Sequence, residues 1–491
     1  MYLSIDQSTS STTVFLFNKN LNLIKKISKQ HKQIYYNKDW VEHNADEIYK
    51  NLLKIIKNLV KKISYHNKLF VSITNQRETF VIFDTKTGKP LHNAIVWQCR
   101  RGKKICNIIA KSQLKSKFIK NSTGLELDTY FPASKLSWIL KNNEELAIKL
   151  KNGSALFGTI DTYLIYRLTK TKSYSTDFTN ASRTLFFDNK KLIWSKKLIN
   201  LFNLKIKHLP EVKESSSIFG KTNFEGILKQ NIPISGVIGD SQASLFANQC
   251  FYKGDTKITL GTGSSILTNI GNNYKVKNKY ITTLSFVFND KPHYSYECLI
   301  NFAGASISWL KDNLNIIDSV KDSSKISKSI KNSNGVFLIP AFVGLSSPHW
   351  IPDAKGMFYG LTPSVNKNHL IRSSLESVAF QIKDYAEDLK KQQKINLKKI
   401  YLDGGMISND FLIQILSNLF RNKIYISKFE DMSAYGSLLM GLLGYKLIKN
   451  LNGLKKYKKK YIQFKSLNNK TDIKNYNNWR KVLNIHYLNI K

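Results

Sequence analysis

Short apolar runs alternate with amphipathic stretches along this chain, and one order of runs occurs twice. Residues 3–17 read LSIDQSTSSTTVFLF: an apolar strand ending near Asp6, a turn of small hydroxyl residues, and a second apolar strand. About half a chain later, residues 257–270 read KITLGTGSSILTNI, again strand, small-residue turn and strand. Either hairpin alone could be an ordinary sheet corner. Turns free of bulky side chains let backbone N–H and hydroxyl groups close on an anion. Two such turns at matching places predict a duplicated α/β fold, with a cleft between the copies and a nucleotide phosphate chain in it.

The intervening segments fit that plan. Asn44 is placed to cap a helix in which Ile48, Leu52, Ile55, Ile56 and Leu59 share one face. Residues 69–73 are apolar but for Ser72 and read as a strand covered on both sides. AIVWQCRR (94–101) predicts a strand before a basic turn. TGLELDTYFPASKLSWIL (123–140) predicts a loop carrying Tyr130, then a helix. LFGTIDTYLIYRLT reads as a helix and DFTNASRTLFFD as a hairpin. Residues 234–250 predict a strand that breaks at Gly239, with Asp240 at the turn into a helix. In the second half, NFAGASISWLKDNL opens a helix, and KKIYLDGGMISNDFLIQILSNLF reads as strand, DGG turn and helix. A final helix is expected over 433–447. The Lys- and Asn-rich segment 449–491 reads as a peripheral, partly helical tail packed on the second domain.

Composition narrows the class. A chain of 491 residues with 42% hydrophobic residues supports two large domains without staples. Four cysteines without CxxC spacing argue against a zinc site or disulfide framework. With no signal-like or membrane-spanning run, the expectation is a cytoplasmic protein without membrane insertion. The formal charge of +42 comes mostly from Lys spread along the whole chain. No nucleic-acid-reading motif accompanies it, so no nucleic-acid partner is expected.

Three places carry candidate chemistry. Arg77 and Glu78 follow a strand's C-terminal end, where α/β sheets hold ligands. Together a guanidinium and a carboxylate supply the donors and acceptors that a neutral polyol needs; a surface ion pair is the plainer reading. Tyr130 is either a ring presented to a carbon skeleton or a core or lid tyrosine. Asp240 is either the base that accepts a proton from an attacking hydroxyl or a helix N-cap. Gly404 and Gly405 allow close approach of a flat base, and Asn409 could hydrogen-bond it.

Taken together, WVEHN, ITNQRET, AIVWQCRR, FPASKLSW, TDFTNASRT, GTGS, FAGASISWL and LDGG occur in the order seen in glycerol kinases. Over residues 1–445 the chain therefore resembles that branch of the FGGY carbohydrate kinases, of the actin/hexokinase-like superfamily. The resemblance implies two ribonuclease H-like domains, 1–247 and 248–448, with ATP and Mg²⁺ between them and glycerol as acceptor. Arg77, Glu78, Tyr130, Asp240 and Ser241 fall at the glycerol-contacting positions, with Asp240 also at that of the general base. Asp6 matches the magnesium-proximal aspartate. Thr9, Ser10, Ser11 and Thr13 fall in the first phosphate loop and Thr262 in the second. Gly304, Ser308, Gly405 and Asn409 fall around the nucleotide. Four positions depart from the family pattern: Ser8 replaces a Gly, Thr13 an Arg, and Ser241 and Ser308 each a Gln. Another polyol or sugar kinase and a non-catalytic actin-like scaffold stay open as alternatives, as does association into a dimer or tetramer.

Overall fold

The computed structural model describes residues 1–60, 69–351 and 353–488. Two large sheets grow from the two hairpins. In the first, the strand order is Ile218–Thr222, Ile232–Gly239, Phe70–Asn75, Tyr2–Gln7, Ser11–Phe17 and Leu23–Gln30. Tyr2–Gln7 is antiparallel to its hairpin partner Ser11–Phe17 and parallel to Phe70–Asn75, which is parallel to Ile232–Gly239. The second sheet repeats the plan. Thr256–Leu260 is antiparallel to Ser264–Gly271 and parallel to Ile400–Asp403, itself parallel to Ile424–Ser427.

The central strands are apolar because both faces are covered. Leu3, Ile5, Val71, Ile73, Ile234 and Val237 are all buried. Helix Ala45–Leu59 lays Ile48, Leu52, Ile55, Ile56 and Leu59 into the same core, and Asn44 caps it by accepting from the N–H groups of Asp46 and Glu47.

Register decides where the chemistry emerges. Gln7 pairs with Asn75, and Asn75 with Gly239. The C-terminal ends of three parallel strands therefore lie in one row, and Asp6, the 8–10 turn, Arg77 and Asp240 leave the sheet at one edge. In the second sheet Thr259 pairs with Asp403, which sets the 261–263 turn beside Gly404.

One helix joins the halves. Met432–Gly444 comes late in the sequence, yet it packs on the first sheet and on helix Asp240–Ala247. Ser4 Oγ donates to Ala434 O (2.9 Å), and the Ser72 and Ser437 hydroxyls lie 3.1 Å apart. A Cβ at Gly436 would sit 1.9 Å from Ala243 O, so only glycine lets the two helices meet. This helix starts one residue before the expected 433–447 span and ends at Gly444, short of its predicted end.

Three local expectations are corrected. DFTNASRTLFFD is not a simple hairpin: Asp177 accepts from Thr179 N–H and Asn180 N–H, and this capping selects the short helix Phe178–Ala181. Within AIVWQCRR only Ala94–Ile95 is strand. The tail is not peripheral. Its strand Tyr461–Phe464 extends the second sheet, and helix Lys470–Leu483 buries Tyr476, Trp479 and Leu483. Trp479 Nε1 donates to Leu338 O (2.8 Å). Aromatic anchors supply the buried area there, while lysines occupy the outer positions. Residues 489–491 of the tail lie outside the described residues.

Candidate active site

Arg77 and Glu78 are no surface pair. Glu78 has φ +62°, in the left-handed region, and Thr79 N–H donates to Arg77 O (2.7 Å) across this tight turn. The strained corner, costing of order 1 kcal/mol, turns both side chains inward, where they are 5% and 1% exposed. Arg77 Nε lies 3.3 Å from Asp240 Oδ1, and its Nη1 donates to Gln242 Oε1 (3.2 Å). Its Nη2 donates to Glu297 Oε1 (3.0 Å). Arg183 completes the cluster by donating from Nε to Glu78 Oε1 and from Nη1 to Glu297 Oε2, each at 2.5 Å.

The electrostatics follow from this geometry. Burial alone would raise the Glu297 carboxyl, but the Arg183 and Arg77 guanidiniums beside it hold it down at about 2. For Glu78 burial wins, and its carboxyl is pushed above the usual range even though Arg183 and Arg77 pull the other way.

Asp240 is the first residue of its helix and does not cap it; Gly239 occupies the N-cap position. Its side chain is 40% exposed. Oδ1 receives both the Arg77 contact and the Ser241 N–H (2.6 Å). Among the described residues Oδ2 is thus the oxygen left to take a proton. Asp240 and Ser241 line a cavity of about 240 Å³.

Tyr130 stands next to Trp97, ring centres 5.3 Å apart, with the Arg183 guanidinium 5.9 Å from the Tyr130 ring. Lys135 is fully buried and donates to the carbonyls of Val96 (3.1 Å), Trp97 (3.2 Å) and Tyr130 (3.1 Å), which fixes the two aromatic residues relative to each other. Trp97 Nε1 also donates to Thr9 Oγ1 (3.0 Å), so the aromatic wall touches the first loop.

That loop is closed by Ser8 N–H donating to Ser11 O (2.9 Å) and carries Ser10 exposed at its tip. Thr13 is set apart from the tip: its hydroxyl donates to Ser28 Oγ (2.9 Å), a neighbour within the sheet. Asp6, below the loop, accepts from Ser433 Oγ (2.5 Å) on the crossing helix. Burial, with Asp240 and Asp431 nearby, pushes the Asp6 carboxyl up to about 7 against the pull of the Ser433 bond and Lys26.

Across the cleft, Thr262 O accepts from the N–H groups of Ala303 and Ala305, both at 3.0 Å. A Cβ on Gly304 would lie 2.7 Å from Gly261 O, so Gly304 is the residue that lets its helix abut the second turn. Ser308 follows one turn later on that helix. Gly404, at φ +95°, runs against Leu260 O, whereas Gly405 opens onto free space. Asn409 is already engaged: its side chain caps the following helix and donates to Ser323 Oγ (3.1 Å).

Sequence reading missed Trp97, Arg183, Gln242 and Glu297. Arg183 and Trp97 lay inside quoted motifs without a role. Glu297 left a weak signal, a lone carboxylate in the otherwise uncharged run YSYECLI.

The first part of the chain, residues 1–247, matches the FGGY family of carbohydrate kinases, N-terminal domain, and residues 256–445 match the C-terminal domain of that family. The glycerol kinase of Fusobacterium nucleatum is 39% identical over 456 residues, covering 92% of each chain. Glycerol kinase 1 of Thermotoga maritima is 40% identical over 465 residues, covering 94% of each. Among solved structures, the glycerol kinase of Plasmodium falciparum with ADP aligns with a TM-score of 0.93 at 36% identity, over 99% of this chain and 98% of that one. A xylulose kinase from Lactobacillus acidophilus, at 21% identity and a TM-score of 0.88, shares the fold.

Proposed function

Because the chain belongs to the FGGY family of carbohydrate kinases, we propose that it transfers the γ-phosphoryl group of ATP to a terminal hydroxyl of glycerol, giving sn-glycerol 3-phosphate and ADP. One observation carries this reading beyond family membership. A carboxylate with a free oxygen, Asp240, stands 3.3 Å from a buried guanidinium and lines one cavity with Thr259, Asp403 and Gly404 of the second sheet. In this reading Arg77 and Glu78 orient the polyol, with Ser241 beside them, and Tyr130 with Trp97 covers its carbons. Asp240 Oδ2 takes the hydroxyl proton as the oxygen attacks phosphorus. Thr9, Ser10 and Ser11 on one side, and Thr262 on the other, approach the phosphates with N–H and hydroxyl donors. Gly304, Ser308, Gly405 and Asn409 border the nucleoside; Thr13 contributes through the sheet. Positioning and charge stabilisation supply most of the rate in such transfers.

The residues fit Mg²⁺ arriving with ATP. Among the described residues no group of three or more His, Cys, Asp or Glu forms a metal cage. Asp240, Asp403 and Glu430 nonetheless line the cavity with carboxylates, and Asp6 adjoins it through its bond from the lining Ser433; a single carboxylate or two plus phosphates and water is the usual Mg²⁺ environment. When bound, the ion would neutralise phosphate charge, and Asp6 is the residue that would hold it.

No helix among the described residues is long and apolar enough to cross a membrane. All four cysteines are buried free thiols, the state a reducing cytoplasm maintains, and we place the protein there. The domain division proposed is 1–247 and 248–448.

The test is a panel of polyols and sugars with ATP and Mg²⁺, read by coupled ADP release. Glycerol should give the highest kcat/KM. A preference for a longer polyol would move the assignment to that substrate, with Ser241 as the residue that makes room. Absence of turnover with every acceptor would leave a nucleotide-binding scaffold.

A further inference from the structure

The cavity beside Asp240 contains a cation with no part in the reading above. Lys257 lies on the strand Thr256–Leu260 with its side chain 3% exposed. Its ammonium donates to Thr259 Oγ1 and stands 3.7 Å from Asp403 Oδ2. That carboxylate oxygen is already engaged by the Ser244 hydroxyl, and Asp403 Oδ1 is buried without a hydrogen-bond partner. A buried ammonium costs several kcal/mol unless closely paired. Here three N–H donors meet one hydroxyl and one distant, shared carboxylate oxygen.

The charge of the cavity gives this cation a task. Asp240, Asp403 and Glu430 line it, and Lys257 is the one cationic side chain among its lining residues. Neither turn adds another. The first, from Asp6 to Thr13, and the second, 261–265, contain no Lys or Arg. Thr13, on the strand that leaves the first turn, is tied to Ser28. Lys257 and Thr259 are two residues apart on one strand, so they share a face that leads directly into the second turn. A triphosphate entering between the turns thus meets hydroxyls, amides, carboxylates and this one ammonium.

We propose that Lys257 is a phosphate-binding residue of the transfer, an inference that rests on the kinase reading. Held by Thr259 and Asp403 before ATP is seated, its ammonium then turns to the oxygens of the transferred group. The glycerol oxygen forms its bond to γ-phosphorus, the bond from phosphorus to the bridging oxygen of ADP breaks, and the hydroxyl proton passes to Asp240. Lys257 offsets the charge on the moving phosphoryl oxygens throughout. Asp403 acts through it, as the anchor that keeps the ammonium on the cavity side.

The experiment compares wild type, Lys257→Met, Lys257→Gln and Lys257→Arg, each checked for a native melting transition. Affinity for Mg²⁺–ATP and for adenosine is measured by calorimetry, and kcat with glycerol by ADP release. Lys257→Met and Lys257→Gln should lower ATP affinity about tenfold or more while leaving adenosine affinity unchanged. They should lower kcat about a hundredfold to a thousandfold, and Lys257→Arg should recover part of both. Equal losses for ATP and adenosine, or an unchanged kcat, would overturn the proposal and make Lys257 a strut between strands. If wild type turns over ATP with no acceptor, the kinase reading fails, and the contrast between ATP and adenosine still decides whether Lys257 binds phosphate.

Discussion

Arg77 and Glu297 meet at 3.0 Å although they belong to different sheets, one just past the end of Phe70–Asn75 and the other within Lys291–Ile300. The acceptor side of the site is therefore not the property of one half of the chain. A carboxylate from the second sheet fixes the guanidinium that touches the proposed base on the first.

Removing that carboxylate's charge should be costly. Glu297→Gln leaves Arg77 and Arg183 buried without their shared counter-ion, and a broken buried pair costs about 3–5 kcal/mol. The Glu297 carboxyl sits near 2 in the fold, below its ordinary value of 4.5. Its contribution is thus complete above about pH 4.5 and fades as pH falls toward 2. Urea melts of both proteins should show a stability gap that is full at pH 6 and narrows below pH 4.5. A gap independent of pH would mean that the loss is steric.

Asp240→Asn keeps the Arg77-facing oxygen but removes the proton acceptor. Turnover should fall by about two to four decades, while calorimetric ATP affinity stays within a few fold. Near-normal turnover would show that another group takes the proton.

Ser241→Gln restores a longer side chain beside Asp240. One added hydrogen bond to glycerol is worth about 0.5–1.5 kcal/mol, so the KM for glycerol should fall several-fold with kcat little changed. Steady-state kinetics with glycerol and a four-carbon polyol would check it; the longer acceptor should lose ground.

Gly436→Ala tests the crossing helix. The new methyl group would lie 1.9 Å from Ala243 O, a backbone atom that cannot swing aside. The expected loss is about 3 kcal/mol or more, together with reduced activity, because the same helix carries Ser433 to Asp6. Gly356→Ala, whose nearest new neighbours are Phe342 ring atoms at 3.4 Å, is the control and should melt like wild type.

The amino-acid pattern by itself determined the two hairpins, the buried parallel strands and the turn after Gly239, because apolar runs of strand length broken by small residues have few other ways to bury themselves. It also brought Arg77, Glu78, Asp240 and Tyr130 forward as candidates. Only the tertiary structure decided that Asp240 leaves its helix uncapped, that Glu78 bends inward at positive φ, and that Asn409 is spent on a cap. Only it, too, joined Arg183, Glu297 and Lys257 to the site. These outcomes rest on which strands lie side by side and in what register. Residues 105 and 220 positions apart, as Glu78 and Arg183 or Arg77 and Glu297 are, leave no periodic trace of their contact in the sequence.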